Sequence, residues 1–258
     1  MKHHEEIIWN FLQQVGTSTK WCVDLGALDG YRHSNTHGLI TEKGWNGVLI
    51  EANPLYFEKL QRLYKDNPRA HCFNEYVSFE GVTLESILER TEIPRVFDYL
   101  SIDIDGADYF VWESLKNYTP KLVEIEFNPS FPNDISFVQP RDMSVFQGSS
   151  LRALTELASN KNYQLLAVVD DVNALFGHKD YLPKHIAEKS IDEVNTGTSY
   201  QTRLIQLYDG TILLDGRTDY IWHKKPITIP SLNKYPARVS SKKWLRTLKY
   251  YYHKLRQR

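Results

Sequence analysis

Cysteine is scarce in this chain: Cys22 and Cys72 are the two in 258 residues. Both fall in strand-like apolar runs and form no spaced set. That excludes a disulfide framework and a cysteine-based zinc site, and it fits a reducing cytoplasm. No apolar run approaches the roughly eighteen residues of a membrane span. The opening MKHHEEIIWN carries charges where a secretory leader has an apolar stretch. Internal repeats and low-complexity tracts are lacking as well. Acidic residues stop early, the last being Asp219. Residues 1–219 hold 20 Lys and Arg against 32 Asp and Glu, a balance of −12, whereas residues 220–258 hold 11 basic residues and no acid. An acidic body with a basic tail directs the tail to something anionic.

What is present is a globular composition, 41% hydrophobic and 13% aromatic, which excludes a disordered chain. Its length suffices for one sizeable core and one extension. Ile7, Ile8, Phe11, Leu12 and Val15 recur at helical spacing, so an amphipathic helix comes first. Strand-like and helix-like runs then alternate. WCVDLG, WNGVLIEAN, AHCFNEYVS, FDYLSIDID and KLVEIEFN read as strands, and PLYFEKLQRLYKDN, TLESILERT and ADYFVWESLKNY as helices between them. SNTHGLITEKG adds a helix with Ser34 as N-cap, and Pro54 opens the next at a position where a missing N–H costs nothing. A loop over 129–149, containing Pro129, Pro132 and Pro140, leads to the helix SLRALTELASNK. YQLLAVV and NALFGH follow too closely for a helical crossover and should pair antiparallel. The expected architecture is α/β: a Rossmann-like, seven-stranded, mainly parallel sheet with an antiparallel last strand. The expected domain covers 1–178, and 179–258 form an extension. In that extension Asp209-Gly210 marks a β-hairpin, 226–240 a proline-containing linker, and 240–258 a basic amphipathic helix.

The stretch VDLGALDG at the end of the first strand lies where open parallel sheets bind ligands. A dinucleotide fingerprint needs a third glycine in register, and a P-loop needs Lys-Ser or Lys-Thr after its second glycine. Here Gly26 and Gly30 stand without the third, and Tyr31-Arg32 follows. The acids Asp24, Asp29 and Glu51 repel a pyrophosphate but suit a ligand with a sulfonium, an ammonium and a ribose diol, such as S-adenosylmethionine. Glu51, ending the second strand, is placed to accept the ribose hydroxyls. A plain strand-to-helix turn is the competing reading.

Alternation along YLSIDID puts Ser101, Asp103 and Asp105 on one face, and along LVEIEFN it groups Glu124, Glu126 and Asn128. If these strands are neighbours, Asp103, Asp105 and Glu126 converge, and several carboxylates in one cleft raise a pKa or recruit a cation. Asp103 is then a cofactor or base contact, and Asp105 with Glu126 serve as base or Mg²⁺ ligands. Capping of the following helix is an equal reading for Asp105. His33 and His37 have a metal-compatible spacing but no third ligand nearby, so surface or capping roles fit them better. In the 129–149 loop, Phe131, Phe137 and Phe146 could stack on a sugar face and Arg141 could meet a phosphate.

CVDLGALDGYRHSNTHGLITEKGWNGVLIEANP and FDYLSIDIDGADYFVWESL resemble the motifs of the FkbM-type S-adenosylmethionine-dependent methyltransferases. Asp103-Ile104-Asp105-Gly106 stands where that family often has Asp-x-Glu-Gly. The resemblance, over roughly residues 20–178, implies a class I methyltransferase fold and methyl transfer to a hydroxyl of a sugar, glycan precursor or related metabolite. It implies that Asp24, Gly26, Ala27 and Gly30 line the methionine side of S-adenosylmethionine; Ser34 is a further candidate cofactor contact. Glu51 would hold the ribose, and Ala52 and Asn74 the adenine side. Asn128 and Arg141 are the candidate substrate contacts. The alternatives are a non-catalytic binding protein on the same fold and a nicotinamide-dependent oxidoreductase, the latter disfavoured by the missing glycine. For the tail, an anionic membrane surface and a subunit contact rank above nucleic acid, which the acidic body opposes. The expected location is the cytoplasm, with peripheral attachment to the inner membrane face through residues 240–258.

Overall fold

The computed structural model describes residues 2–32, 34–197, 200–210, 212–217 and 237–239. Seven strands form one sheet: β1 (Trp21–Leu25), β2 (Asn46–Ile50), β3 (Ala70–Phe73), β4 (Val96–Ile102), β5 (Thr119–Glu126), β6 (Tyr163–Val169) and β7 (Asn173–His178). Their order is β3-β2-β1-β4-β5-β7-β6. The first five are parallel, and β7 runs antiparallel to both neighbours, β5 and β6. The expected sheet is therefore the observed one.

Alternation within the strands feeds two apolar layers. Val23, Val48, Ile50, Leu100, Val123 and Ile125 point to one face, and Cys22, Leu49, Tyr99 and Leu122 to the other. The first layer is covered by α4 (Leu84–Leu88), α5 (Asp108–Ser114) and α6 (Leu151–Asn160), through Ile87, Val111, Trp112, Leu154 and Leu157. The second is covered by α1 (Lys2–Val15), α2 (His37–Thr41) and α3 (Pro54–Tyr64), through Ile8, Leu12, Ile40, Leu60 and Tyr64. Pro54 occupies the first turn of α3 behind the Asn53 cap, whose side chain accepts from Leu55 N. Chain direction across the sheet reverses between β1 and β4, so the loops leaving these two strands part and open a crevice.

The chain divides into two compact units, residues 1–128 with 133–196, and residues 129–132 with 197–258. In the second unit β8 (Thr202–Gln206) and β9 (Ile212–Gly216) form the antiparallel hairpin expected around Asp209-Gly210, and β10 (Ala237–Val239) pairs parallel with β9. Most of the expected linker and the whole of the basic helix over 240–258 lie outside the described residues.

At the end of the sheet opposite the crevice, the buried carboxylate of Asp98 meets Lys121 Nζ at 2.8 Å. Its other oxygen accepts from Thr19 N, Thr19 Oγ1 and Lys20 N, while Lys121 also donates to Gly16 O and Ser18 Oγ. This staple joins β4 and β5 to the turn that aims β1. Breaking a buried pair from one side strands the remaining charge, so Lys121→Met should cost about 3–5 kcal/mol. Urea unfolding reads this out, and an unchanged midpoint would refute the staple.

Candidate functional site

The glycine turn brings three strand ends together. Gly26 N and Ala27 N both donate to Ile50 O at 3.0 Å, and Asp103 N donates to Leu25 O at 3.0 Å. Gly26 has φ +92°, and a Cβ there would lie 1.8 Å from the carbonyl oxygen of Asp103, so only glycine fits. Gly30 answers to a different constraint. At φ +76° a Cβ would meet Leu60 Cδ1 at 2.5 Å and Tyr64 Cε2 at 2.8 Å, so this glycine serves the packing of α3. Between them Leu28 adopts φ +47°, unusual for a bulky residue, and its N–H donates to Glu51 Oε2 at 2.8 Å. The other Glu51 oxygen accepts from Asn53 N at 2.7 Å. Asn74 donates through Nδ2 to Glu51 O and Ala52 O, fixing the same loop from β3.

Around this turn lies a cavity of about 630 Å³, within the range of small-molecule sites. Among the described residues seven carboxylates line it, Glu51, Asp103, Asp105 and Glu126 among them, and His4 is the single basic side chain. Gly26, Ser34 and Ala52 also line it, whereas Asp24, Ala27, Gly30 and Asn74 do not. Ala27 is buried in the apolar layer. Asp24 sits behind the wall, accepting from Thr36 Oγ1 at 2.7 Å and Ser34 Oγ at 3.0 Å. Burial pushes its pKa up to about 6; those two hydroxyls oppose the shift, and Glu124 and Glu51 add to it.

Carboxylate oxygens of Asp103, Asp105 and Glu126 lie within 4.8 Å of one another, so the structure brings the three expected acids together. Asp103 is open to the cavity yet hemmed in by protein. Desolvation first, then the charges of Asp108 and Asp105, hold its carboxyl well above the usual range. Asp105 has φ +60°. The expected capping role does not fall to it: α5 begins at Asp108, whose own carboxylate accepts from Ile104 N and Gly106 N. Gly106 permits a second close approach, since a Cβ would lie 2.8 Å from Val145 O. Ser34 likewise precedes the cap of α2, which is Thr36, yet its hydroxyl accepts from His37 N at 3.2 Å.

Asn128 and Arg141 do not line the cavity. Asn128 donates to Gln147 O, and Arg141 pairs with Glu113 at 2.8 Å over the rings of Phe79 and Phe110. From their loop Phe146 reaches the cavity, as do Met143 and Val145. His37 Nδ1 is 2.9 Å from Tyr64 OH, and His33 lies outside the described residues.

Sequence reasoning passed over a buried charge cluster. Glu124, 1% exposed, lies 2.6 Å from His4 Nε2 and is also bonded by Tyr99 OH and by Asn35 Nδ2, at 3.3 Å. His4 Nδ1 lies 2.8 Å from Asp170 Oδ2. A local signal existed: His4 shares a helical stripe with Ile8, Leu12 and Val15, which are all buried. Burial acts to lower the His4 pKa, but Glu124 and then Asp170 outweigh it and bring it up to about 9. The stability this contributes is complete below about 6.5 and disappears as pH rises through about 9. The stability difference between wild type and His4→Gln should therefore shrink from pH 6.5 to 9. A pH-independent difference in denaturant midpoints would contradict this charge assignment.

Residues 72–165, from β3 to the start of β6, match the family model described as the Methyltransferase FkbM domain. No curated protein matches the chain. Among solved structures, the chain is similar to the METTL16 MTase domain, with 12% identity over 66% of this chain and 64% of that one, at a TM-score of 0.43. It is also similar to an S-adenosylmethionine-dependent methyltransferase from Clostridium acetobutylicum, with 11% identity, 68% and 91% coverage and a TM-score of 0.43. A third is the N-terminal domain of EvdMO1 with SAH bound, with 10% identity, 68% and 80% coverage and a TM-score of 0.46. Over residues 72–165 the chain is thus similar to the FkbM-type methyltransferase domain.

Proposed function

We propose that this protein is an O-methyltransferase that uses S-adenosylmethionine to methylate a hydroxyl of a sugar, glycan precursor or related metabolite. The observation carrying this reading is the cavity at the sheet's reversal point, walled by carboxylates with no lysine or arginine among the described lining residues. Such a wall opposes a pyrophosphate and accommodates a ligand with a sulfonium and an ammonium. Gly26 itself lines the cavity, so its backbone is within reach of a bound cofactor. Each Glu51 oxygen already takes one backbone N–H and keeps acceptor capacity for a ribose hydroxyl.

When bound, the cofactor supplies a methyl group already activated by its positive sulfur. The protein then has to align the acceptor oxygen and take its proton. Asp103 fits the second task, because its raised pKa brings a carboxylate closer to the range where a base works best at neutral pH. Asp105 and Glu126 offer oxygen donors to a Mg²⁺ that would lower the hydroxyl pKa. Tyr76 and Phe146, 55% and 41% exposed at the cavity, offer faces on which a sugar ring can stack. They replace Asn128 and Arg141 as the acceptor contacts in this reading.

Calorimetry should detect S-adenosylmethionine binding and none of NAD, and Glu51→Ala should weaken the former by about tenfold or more, the loss expected for a charge-assisted hydrogen bond. Asp103→Asn should lower turnover by about 10²–10⁴-fold on an acceptor found by screening sugar nucleotides and lipid-linked sugars. Binding of NAD instead, or turnover of the variant within a few-fold of wild type, would sink the reading. Cofactor binding with no turnover on any acceptor would point to a non-catalytic binding protein. EDTA should depress turnover if Mg²⁺ takes part. For the basic tail we propose contact with an anionic membrane surface: liposome flotation should weaken on removing residues 240–258, and no loss would leave subunit docking.

A further inference from the structure

We propose that His4 is a positioning residue for the cofactor: as a cation bridging Glu124 and Asp170, it closes the first turn of α1 against the open end of the sheet and completes the cavity wall. This rests on the methyltransferase reading of that cavity. Three separate elements meet at the imidazole. Nε2 lies 2.6 Å from Glu124 on β5, and Nδ1 lies 2.8 Å from Asp170 in the turn between β6 and β7. His4 is buried while both it and Glu5 line the cavity, so the helix contributes wall as well as core.

The chain of contacts runs on into the cofactor loop. Glu124 also takes a hydrogen bond from Tyr99 on β4 and one from Asn35, whose amide donates to Ser101 Oγ as well. Asn35 lies between Ser34 and Thr36, the two hydroxyls that hold Asp24 behind the glycine turn. Tyr99 and Asn35 are neutral donors, so the positive charge beside Glu124 comes from His4. Without it a buried carboxylate loses its counter-charge beside a cavity that is already acidic. The first turn of α1 and the Asn35 loop should then loosen together. Ile8, Leu12 and Val15 lie further along the helix and keep the rest of α1 on the sheet.

Hydrogen exchange without any ligand tests the closure itself. Amides of residues 6–10 should exchange at least about tenfold faster in His4→Gln than in wild type. Calorimetry with S-adenosylhomocysteine tests the consequence: affinity should fall by about tenfold or more in His4→Gln and return to within about threefold in His4→Gln/Glu124→Gln, where no charge is stranded. Should His4→Gln fail to fold, Asp170→Asn changes an exposed group and removes one anchor; faster exchange over the same amides and weaker binding are expected. Exchange unchanged in either variant overturns the proposal. So does affinity within twofold of wild type in His4→Gln, or a double variant that recovers nothing. If wild type itself binds no S-adenosylhomocysteine, the methyltransferase reading has failed, and the exchange measurement decides the closure alone.

Discussion

The close approach of Gly26 to the carbonyl of Asp103 is the constraint on which the site depends. Adjacent parallel strands normally keep their spacing to the end of the ladder, and here the backbone leaving β1 turns directly over the end of β4. A single methyl group at Gly26 would lie 1.8 Å from the Asp103 oxygen. The same turn takes both N–H groups of Gly26 and Ala27 to Ile50, so β2, β1 and β4 end at one point. Glu51 and Asp103 face one cavity for that reason.

Electrostatics then follow from topology. With β4 beside β5, Asp103, Asp105 and Glu126 line one crevice, and burial together with the charges of Asp108, Asp105, Asp24 and Glu124 raises the cost of ionising Asp103. The protein answers this in two ways. Hydroxyls and backbone N–H groups take the lone pairs of Asp24, Glu51 and Asp108. A histidine from the N-terminal helix supplies positive charge beside Glu124. What remains is a negative, partly desolvated wall, suited to a cationic ligand and to taking a proton.

Much of the fold was legible in the residue order. Strand alternation and helical spacing are local, and they specified the βα cycles, the antiparallel last pair and the hairpin at Asp209-Gly210. Boundaries moved where tertiary packing decides them: α2 and α4 are five residues each, shorter than their apolar patterns suggested. The convergence of Asp103, Asp105 and Glu126 was readable in part: alternation on neighbouring strands brings Asp103 and Glu126 together, while Asp105 joins them from the turn after β4, at φ +60°. Arg141 was less so. A cation on a loop carries no local signal of its partner, and here Glu113 and two phenylalanine rings take it.

The sequence by itself determined the sheet, the glycine-bearing turn at its reversal point and the acidity of what surrounds it, since each depends on residues close together in the chain. Tertiary structure decided what each glycine is for. Gly26 yields to a carbonyl 77 positions on, and Gly30 to side chains of a helix. It also decided which charges meet, joining His4 to Glu124 and Asp170 across separations of 120 and 166 residues. No local periodicity encodes such pairs, because they arise only once the strand order has set β5 and the end of β6 beside the first turn of α1.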